Sequence, residues 1–183
     1  MLPLDTPLPE FSLPDTVSGR ALSSRELGGS ICLLAILCNH CPYVVHIRKG
    51  LAELGRFCEE RGVRMVGISV NDATTHPEDG PEKMKEVAKK ECWTFPYLYD
   101  ASQDIARALR AQCTPEFYVF DAKGLLAYRG QMDASRPSND TPVTGSDIRA
   151  AVQDLLDGKR PSPDQKASAG CSIKWKPSWL GSR

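Results

Sequence analysis

Apolar residues along this chain follow two periods. Ile31–Leu37 is a continuous apolar run, which suits a strand buried on both faces. After it, Val44, Ile47, Leu51, Leu54 and Cys58 recur at steps of three and four, while Arg48, Glu53, Arg56 and Glu60 fill the other side. That spacing predicts an amphipathic helix. Pro42 suits its first turn, where a missing N–H costs nothing, and Gly62 suits the residue just past its end. Val63–Val70 reads as a second buried strand, so the three segments make a βαβ unit with a right-handed crossover.

The rest of the chain is read the same way. Residues 1–30, rich in Pro, Asp, Ser and Gly, predict an N-terminal arm with one or two short strands. Asn71–Gly80 is polar and predicts a loop, and Pro81 opens a helix to about Lys90. Phe95–Tyr99 predicts a short strand and Asp104–Arg110 a short helix. Glu116–Phe120 and Leu125–Tyr128 flank Asp121-Ala122-Lys123-Gly124, a hairpin pattern. Ser146–Leu156 predicts a last helix with Ile148, Val152 and Leu155 inward; beyond Gly158, Pro161, Pro163 and Pro177 argue against regular structure. The sum is an α/β fold, one domain over residues 1–160 and a tail over 161–183 packing on it.

Composition narrows the function. Lys+Arg and Asp+Glu both number 23, so there is no electrostatic argument for nucleic acid or an anionic membrane as partner. No stretch reaches the ~18 apolar residues of a membrane span. The first 30 residues lack the uninterrupted apolar run of a signal peptide, so a cytoplasmic location is expected. Seven cysteines are many for such a chain and odd in number. Cytosolic reductants make structural disulfides rare, which leaves catalytic, metal-binding or simply buried thiols.

The candidate chemistry lies where the first strand gives way to the first helix: Cys38-Asn39-His40-Cys41, a C-x-x-C. A thiolate is a good nucleophile and a thiol a poor one. A helix N-terminus offers unpaired N–H groups and about half a positive charge. This predicts Cys38 at the helix mouth as the nucleophile and Cys41, one turn on, as the thiol that closes a disulfide with it. A protonated His40 between them would lower the Cys38 pKa further. The alternative is two ordinary core cysteines with His40 a spacer.

At these residues the sequence resembles the thioredoxin superfamily, and more narrowly a peroxiredoxin-like branch of the alkyl hydroperoxide reductase/thiol-specific antioxidant (redoxin) group. Pro9-Glu10-Phe11, Leu13, Gly19-Arg20 and Leu22 are similar to that group's N-terminal hairpin, and Cys38 to Val44 to the branch's signature. Asn71-Asp72, Pro77-Glu78-Asp79, Pro81-Glu82, Phe95-Pro96-Tyr97-Leu98, Cys113-Thr114-Pro115 and Gly170 to Lys176 also fit. The resemblance implies a thioredoxin-like fold: a central mixed β-sheet flanked by helices, with an N-terminal hairpin extension and an irregular C-terminal tail. It implies a thiol–disulfide oxidoreductase needing no cofactor. Protein or small-molecule disulfides and thiols would be its substrates, and thioredoxin or glutathione its reductant. Thr114-Pro115 matches the superfamily's cis-proline loop, which faces the C-x-x-C and pairs with a substrate backbone. Glu116 is then a candidate proton acceptor near Cys41, with an edge-strand surface carboxylate as the plainer reading.

The sequence also departs from these patterns. Leu37 stands where a Trp usually precedes the motif, and the strand offers only Cys32 where thioredoxin buries a carboxylate. The peroxidatic pattern P-x-x-x-T-x-x-C is absent. Counting back from Cys38 finds Ala35 and Ile31, and from Cys41, Cys38 and Leu34. No hydroxyl is then placed to orient a peroxide, so thiol peroxidase activity through Cys38 is the second reading. A Cys/His metal-binding module built from Cys38, His40, Cys41 and Cys171 is the third. Arg129 is the basic candidate for a thiolate partner. Cys171, in a tail where no core obliges a cysteine to be, suggests a third redox thiol folded back over the site, or a packing thiol anchored by Trp175. Cys113 adjoins the proline loop and reads as passive or as reaching Cys38. Cys32, Cys58 and Cys92 read as structural thiols. Trp93, Trp175 and Trp179 read as packing residues, and His46 and His76 as lone histidines.

Overall fold

A computed structural model describes residues 1–177. Its centre is a five-stranded mixed sheet of order β5-β4-β3-β7-β8. The strands are β3 (Cys32–Leu37), β4 (Arg64–Ser69), β5 (Tyr97–Tyr99), β7 (Glu116–Phe120) and β8 (Leu126–Gly130). β3 lies mid-sheet, parallel to β4 and antiparallel to β7, and all six of its residues are buried, as its unbroken apolar run requires. Between β3 and β4 runs α1 (Pro42–Glu60), and Gly62 follows it with φ of 69°.

Alternation along the strands sorts the core into two layers. Leu33, Ala35 and Leu37 face α1, α2 (Pro81–Lys90) and α4 (Ser146–Leu156). Cys32, Leu34 and Ile36 face the other way, toward α3 (Asp104–Ala108), the N-terminal arm and, from the tail, Ile173 and Trp175. The arm supplies the short hairpin of β1 (Ser12–Pro14) and β2 (Ala21–Ser23). Asp15 locks it to the sheet by accepting the N–H groups of Val17, Ser18 and Tyr97.

Three expectations change. The segment Asn71–Gly80 is not a plain solvated loop: it holds a 3₁₀ turn over Pro77–Asp79, and Asn71, Asp72 and Asp79 are buried. The tail is not wholly irregular. Cys171–Ser172 forms β9, paired antiparallel with β6 (Cys113–Thr114), and a two-residue strand leaves no periodic trace in sequence. Cys92 is exposed past the end of α2 with φ of 54°, so it does not pack in the core as Cys32 and Cys58 do. Trp93 packs between Phe95 and Tyr97, and Trp175 against the second layer. Trp179 lies outside the described residues, as does the end of the tail.

Candidate active site

Local geometry decides which cysteine caps the helix. Proline is barred from a helix interior but fits its first turn, and the residue before it is pushed out of helical conformation. The helix therefore starts at Pro42, and Cys41, with φ −61° and ψ 126°, is its N-cap. The expected placement of Cys38 at the helix mouth is corrected: Cys38 sits where the chain leaves β3, with Asn39 and His40 turning between the two thiols.

The electrostatics follow this placement. The Cys38 and Cys171 thiols and the backbone N–H groups of Val44 and Cys171 lie around Cys41 Sγ where they stabilise a thiolate, although the side chain makes no cap hydrogen bond to the helix. Against the cost of burial they hold the Cys41 pKa down to about 4. As a thiol, Cys41 donates to the Thr114 carbonyl oxygen 3.2 Å away. As a thiolate it gains several donors, so the ionised form is favoured. Cys38 is driven the other way, upward, by its hydrogen bond with Cys41, by burial and by the Asp79 carboxylate. The Thr114 hydroxyl lies 3.1 Å from Cys38 Sγ.

Asp79 organises the turn between the thiols, and sequence reasoning missed it. It is 0% exposed. Its Oδ1 accepts the N–H of Asn39 at 2.6 Å and of His40 at 3.2 Å. Its Oδ2 lies 2.6 Å from His40 Nδ1 and accepts from Asn71 Nδ2 at 2.8 Å. Asn39 is held further by Arg48, which donates to its carbonyl at 2.6 Å, and by the Tyr97 hydroxyl, which donates to its Oδ1. The buried carboxylate sought on the strand before the motif is thus supplied by the turn before α2. The only sequence signal was Pro77-Glu78-Asp79 in a polar stretch, and polar stretches read as solvated.

Opposite the thiols is the Thr114–Pro115 bond, which is cis. Next to it β9 sets Cys171 in register with Thr114. Cys113 hydrogen-bonds the Pro115 carbonyl, and burial pushes its thiol up to about 12, which makes it a poor nucleophile. Cys38, His40, Cys41, Thr114, Pro115 and Cys171 are therefore brought together.

Two candidates are not. Glu116 lies in register with Ile36, on the sheet face away from α1. It is buried in a central strand rather than exposed at an edge, and its Oε2 accepts the Gln112 N–H at 2.8 Å, beside Cys113 and Tyr118. It is not a proton acceptor for Cys41. Arg129 is engaged elsewhere: its guanidinium and its own N–H both donate to Gln165 Oε1 of the tail. The other histidines have partners, His46 with the Ser135 hydroxyl at 2.7 Å and His76 stacked on His40 at 5.1 Å.

Donor atoms of Cys38, His40 and Asp79 lie within 4.8 Å of one another, a possible metal cluster. Both Asp79 oxygens, however, already accept two hydrogens each, which suits a hydrogen-bond hub better than a ligand.

Comparison with known proteins places this arrangement. In sequence the chain is similar to the thiol:disulfide interchange protein DsbE of Allochromatium vinosum, 31% identical over 137 residues, which cover 72% of this chain and 69% of that protein. In structure it is similar to an uncharacterized conserved protein from Geobacillus kaustophilus, with TM-score 0.94, 45% identity and coverage of 97% of this chain and 94% of that one. A hypothetical protein from Sinorhizobium meliloti 1021 superposes with TM-score 0.93 and 40% identity, covering 97% of each chain. A secreted Mycobacterium tuberculosis disulfide oxidoreductase shares the thioredoxin-like fold at TM-score 0.61 and 19% identity, over 78% of this chain and 95% of that one. The AhpC/TSA family profile matches residues 4–129, and with the thiol-bearing helix mouth set against a cis-proline loop, the chain belongs to the AhpC/TSA family.

Proposed function

We propose that this protein is a thiol–disulfide oxidoreductase whose nucleophile is Cys41 and whose second thiol is Cys38. The observation that carries this reading is the place of Cys41 at the N-cap of α1, with Cys38 beside it and both buried thiols bonded to Thr114 of the cis-proline turn. The relation to a thiol:disulfide interchange protein supports the same reaction class.

In the reaction the Cys41 thiolate attacks one sulfur of a substrate disulfide, and the other sulfur leaves as a thiolate. Cys38 then gives up its proton and attacks Cys41 Sγ. A Cys38–Cys41 disulfide forms and the remaining substrate thiolate is expelled, so two electrons have passed to the substrate. Run backward, the same steps oxidise a dithiol. Asp79 holds the Asn39-His40 turn, and with it the spacing of the two sulfurs. A thiol reductant of the thioredoxin or glutathione kind returns the electrons.

Serine variants test the assignment with a small aromatic disulfide whose thiolate product is coloured. Cys41→Ser is expected to lower the rate by about a thousandfold or more. Cys38→Ser is expected to keep the first step, seen as a single burst of the coloured thiolate. If Cys38→Ser instead removes the first step and Cys41→Ser keeps it, the nucleophile is misassigned.

A further inference from the structure

Neither active thiol meets solvent: Cys38 is 1% exposed and Cys41 0%. What covers them is the chain's own tail. β9 pairs antiparallel with β6, directly before Pro115, and so occupies the backbone edge where an extended substrate would add a strand. The seat is built closely. A Cβ on Gly170 would stand 2.2 Å from the Thr114 carbonyl oxygen, so only glycine lets the tail approach.

The tail is fastened on both sides of Cys171. Upstream, Gln165 bonds Arg129 and the Ala127 carbonyl, and the Lys166 carbonyl accepts the Gln131 N–H. Downstream, Lys174 N–H donates to Asn71 Oδ1 at 2.9 Å, and its carbonyl accepts from Asp72 N–H and Gln103 Nε2. Held so, Cys171 stands in register with Thr114, whose carbonyl accepts from the Cys41 thiol, and its side chain is the one of the three that reaches the surface.

We propose that Cys171 is a third redox thiol, which forms a disulfide with Cys41 and is the sulfur at which external thiols exchange. This rests on the reading of Cys41 as nucleophile. The Cys171 thiolate attacks Cys41 Sγ of the Cys38–Cys41 disulfide; a Cys41–Cys171 bond forms and Cys38 leaves, taking the proton that Cys171 lost. An external thiolate then attacks Cys171 Sγ from solvent, forms a mixed disulfide there and releases the Cys41 thiolate. A second external thiolate attacks the external sulfur, releasing a disulfide and the Cys171 thiolate. One protein disulfide and two thiols thus become two protein thiols and one external disulfide.

The chemistry favours the second step, in which Cys41 leaves. A thiol of low pKa is a good leaving group, which Cys41 is. The Cys171 pKa stands at about 11 through burial, its hydrogen bond to Cys41 and the charge on Cys41, and the last two vanish once Cys41 is in a disulfide.

The experiment uses the full chain oxidised with glutathione disulfide and digested by trypsin without reduction. Cleavage leaves Cys41 in peptide 26–48 and Cys171 in peptide 167–174. In Cys38→Ser the two peptides are expected to be joined; Cys41 bound only to glutathione would overturn the proposal. Cys171→Ser is expected to retain the Cys38–Cys41 disulfide yet exchange with glutathione slower by about tenfold or more. A wild-type rate there would refute the outer role of Cys171 and leave the Cys38–Cys41 reading standing. Wild-type substrate turnover in Cys41→Ser would instead remove the reading on which both rest. Gly170→Val, checked for folding by circular dichroism, is expected to lose the cross-link and to alkylate faster at Cys41. A wild-type yield of the link in that variant also counts against the proposal.

Discussion

At the scale of single residues, the protein separates two chemically identical thiols by their surroundings. Cys41 moves from an ordinary 9.0 to about 4. Between those values the folded, reduced protein binds fewer protons at Cys41 than the unfolded chain does. Its contribution to stability is therefore full above about pH 9 and is lost as pH falls toward 4. Cys38 is raised, so it acts in the opposite sense above its ordinary value. The denaturation midpoint of the reduced protein is expected to rise from about pH 5 to about pH 8, and that slope is expected to vanish in Cys41→Ser. A slope unchanged by the substitution would show that Cys41 is not the ionised group. The cap position was open to sequence reasoning through Pro42. The N–H of Val44 in the first turn was open to it as well; the neighbouring Cys171 was not, because it comes from more than a hundred residues away.

At the scale of elements, α1 carries the site at its N-cap and is seated by contacts along its length. Gly55 lies against Phe95: a Cβ there would stand 2.8 Å from Phe95 Cδ1. The ring is stacked on Trp93 and buried, so it has little room to yield. Alanine is a better helix former than glycine by about 1 kcal/mol. Overpacking costs about 1–3 kcal/mol. The second effect is expected to win, and Gly55→Ala should lower the melting temperature although it improves the helix. The apolar stripe of α1 was legible in the sequence because period 3.6 leaves a mark. Packing of a glycine against an aromatic ring leaves none.

At the scale of the whole molecule, a chain of buried polar groups ties the tail to the active turn. Asn71 accepts from Lys174 with one side of its amide and donates to Asp79 with the other. Asn71→Asp would set a second carboxylate against Asp79, and one of the pair would hold its proton to higher pH than in the unfolded chain. The folded state would then bind more protons, so stability would fall as pH rises through the carboxylate range. The expected result is a deficit in melting temperature against the wild-type protein that widens from about pH 4 to about pH 7. A deficit constant with pH would mean that the lost hydrogen bond alone matters.

The sequence by itself determined the βαβ frame, the hairpin about Asp121–Gly124 and the meeting of two cysteines with a strand end and a helix start. Those features depend on neighbours in the chain: periodicity, turn chemistry and the constraint that proline places on its own residue and the one before it. Tertiary structure alone decided that Glu116 and Arg129 stand apart from the thiols, that Asp79 stands among them, and that Cys171 arrives beside Cys41. Each of these turns on which sheet face a residue joins or on which distant strand edge it meets. Such choices are settled by burial and hydrogen-bond satisfaction across the whole fold, and no local pattern encodes them.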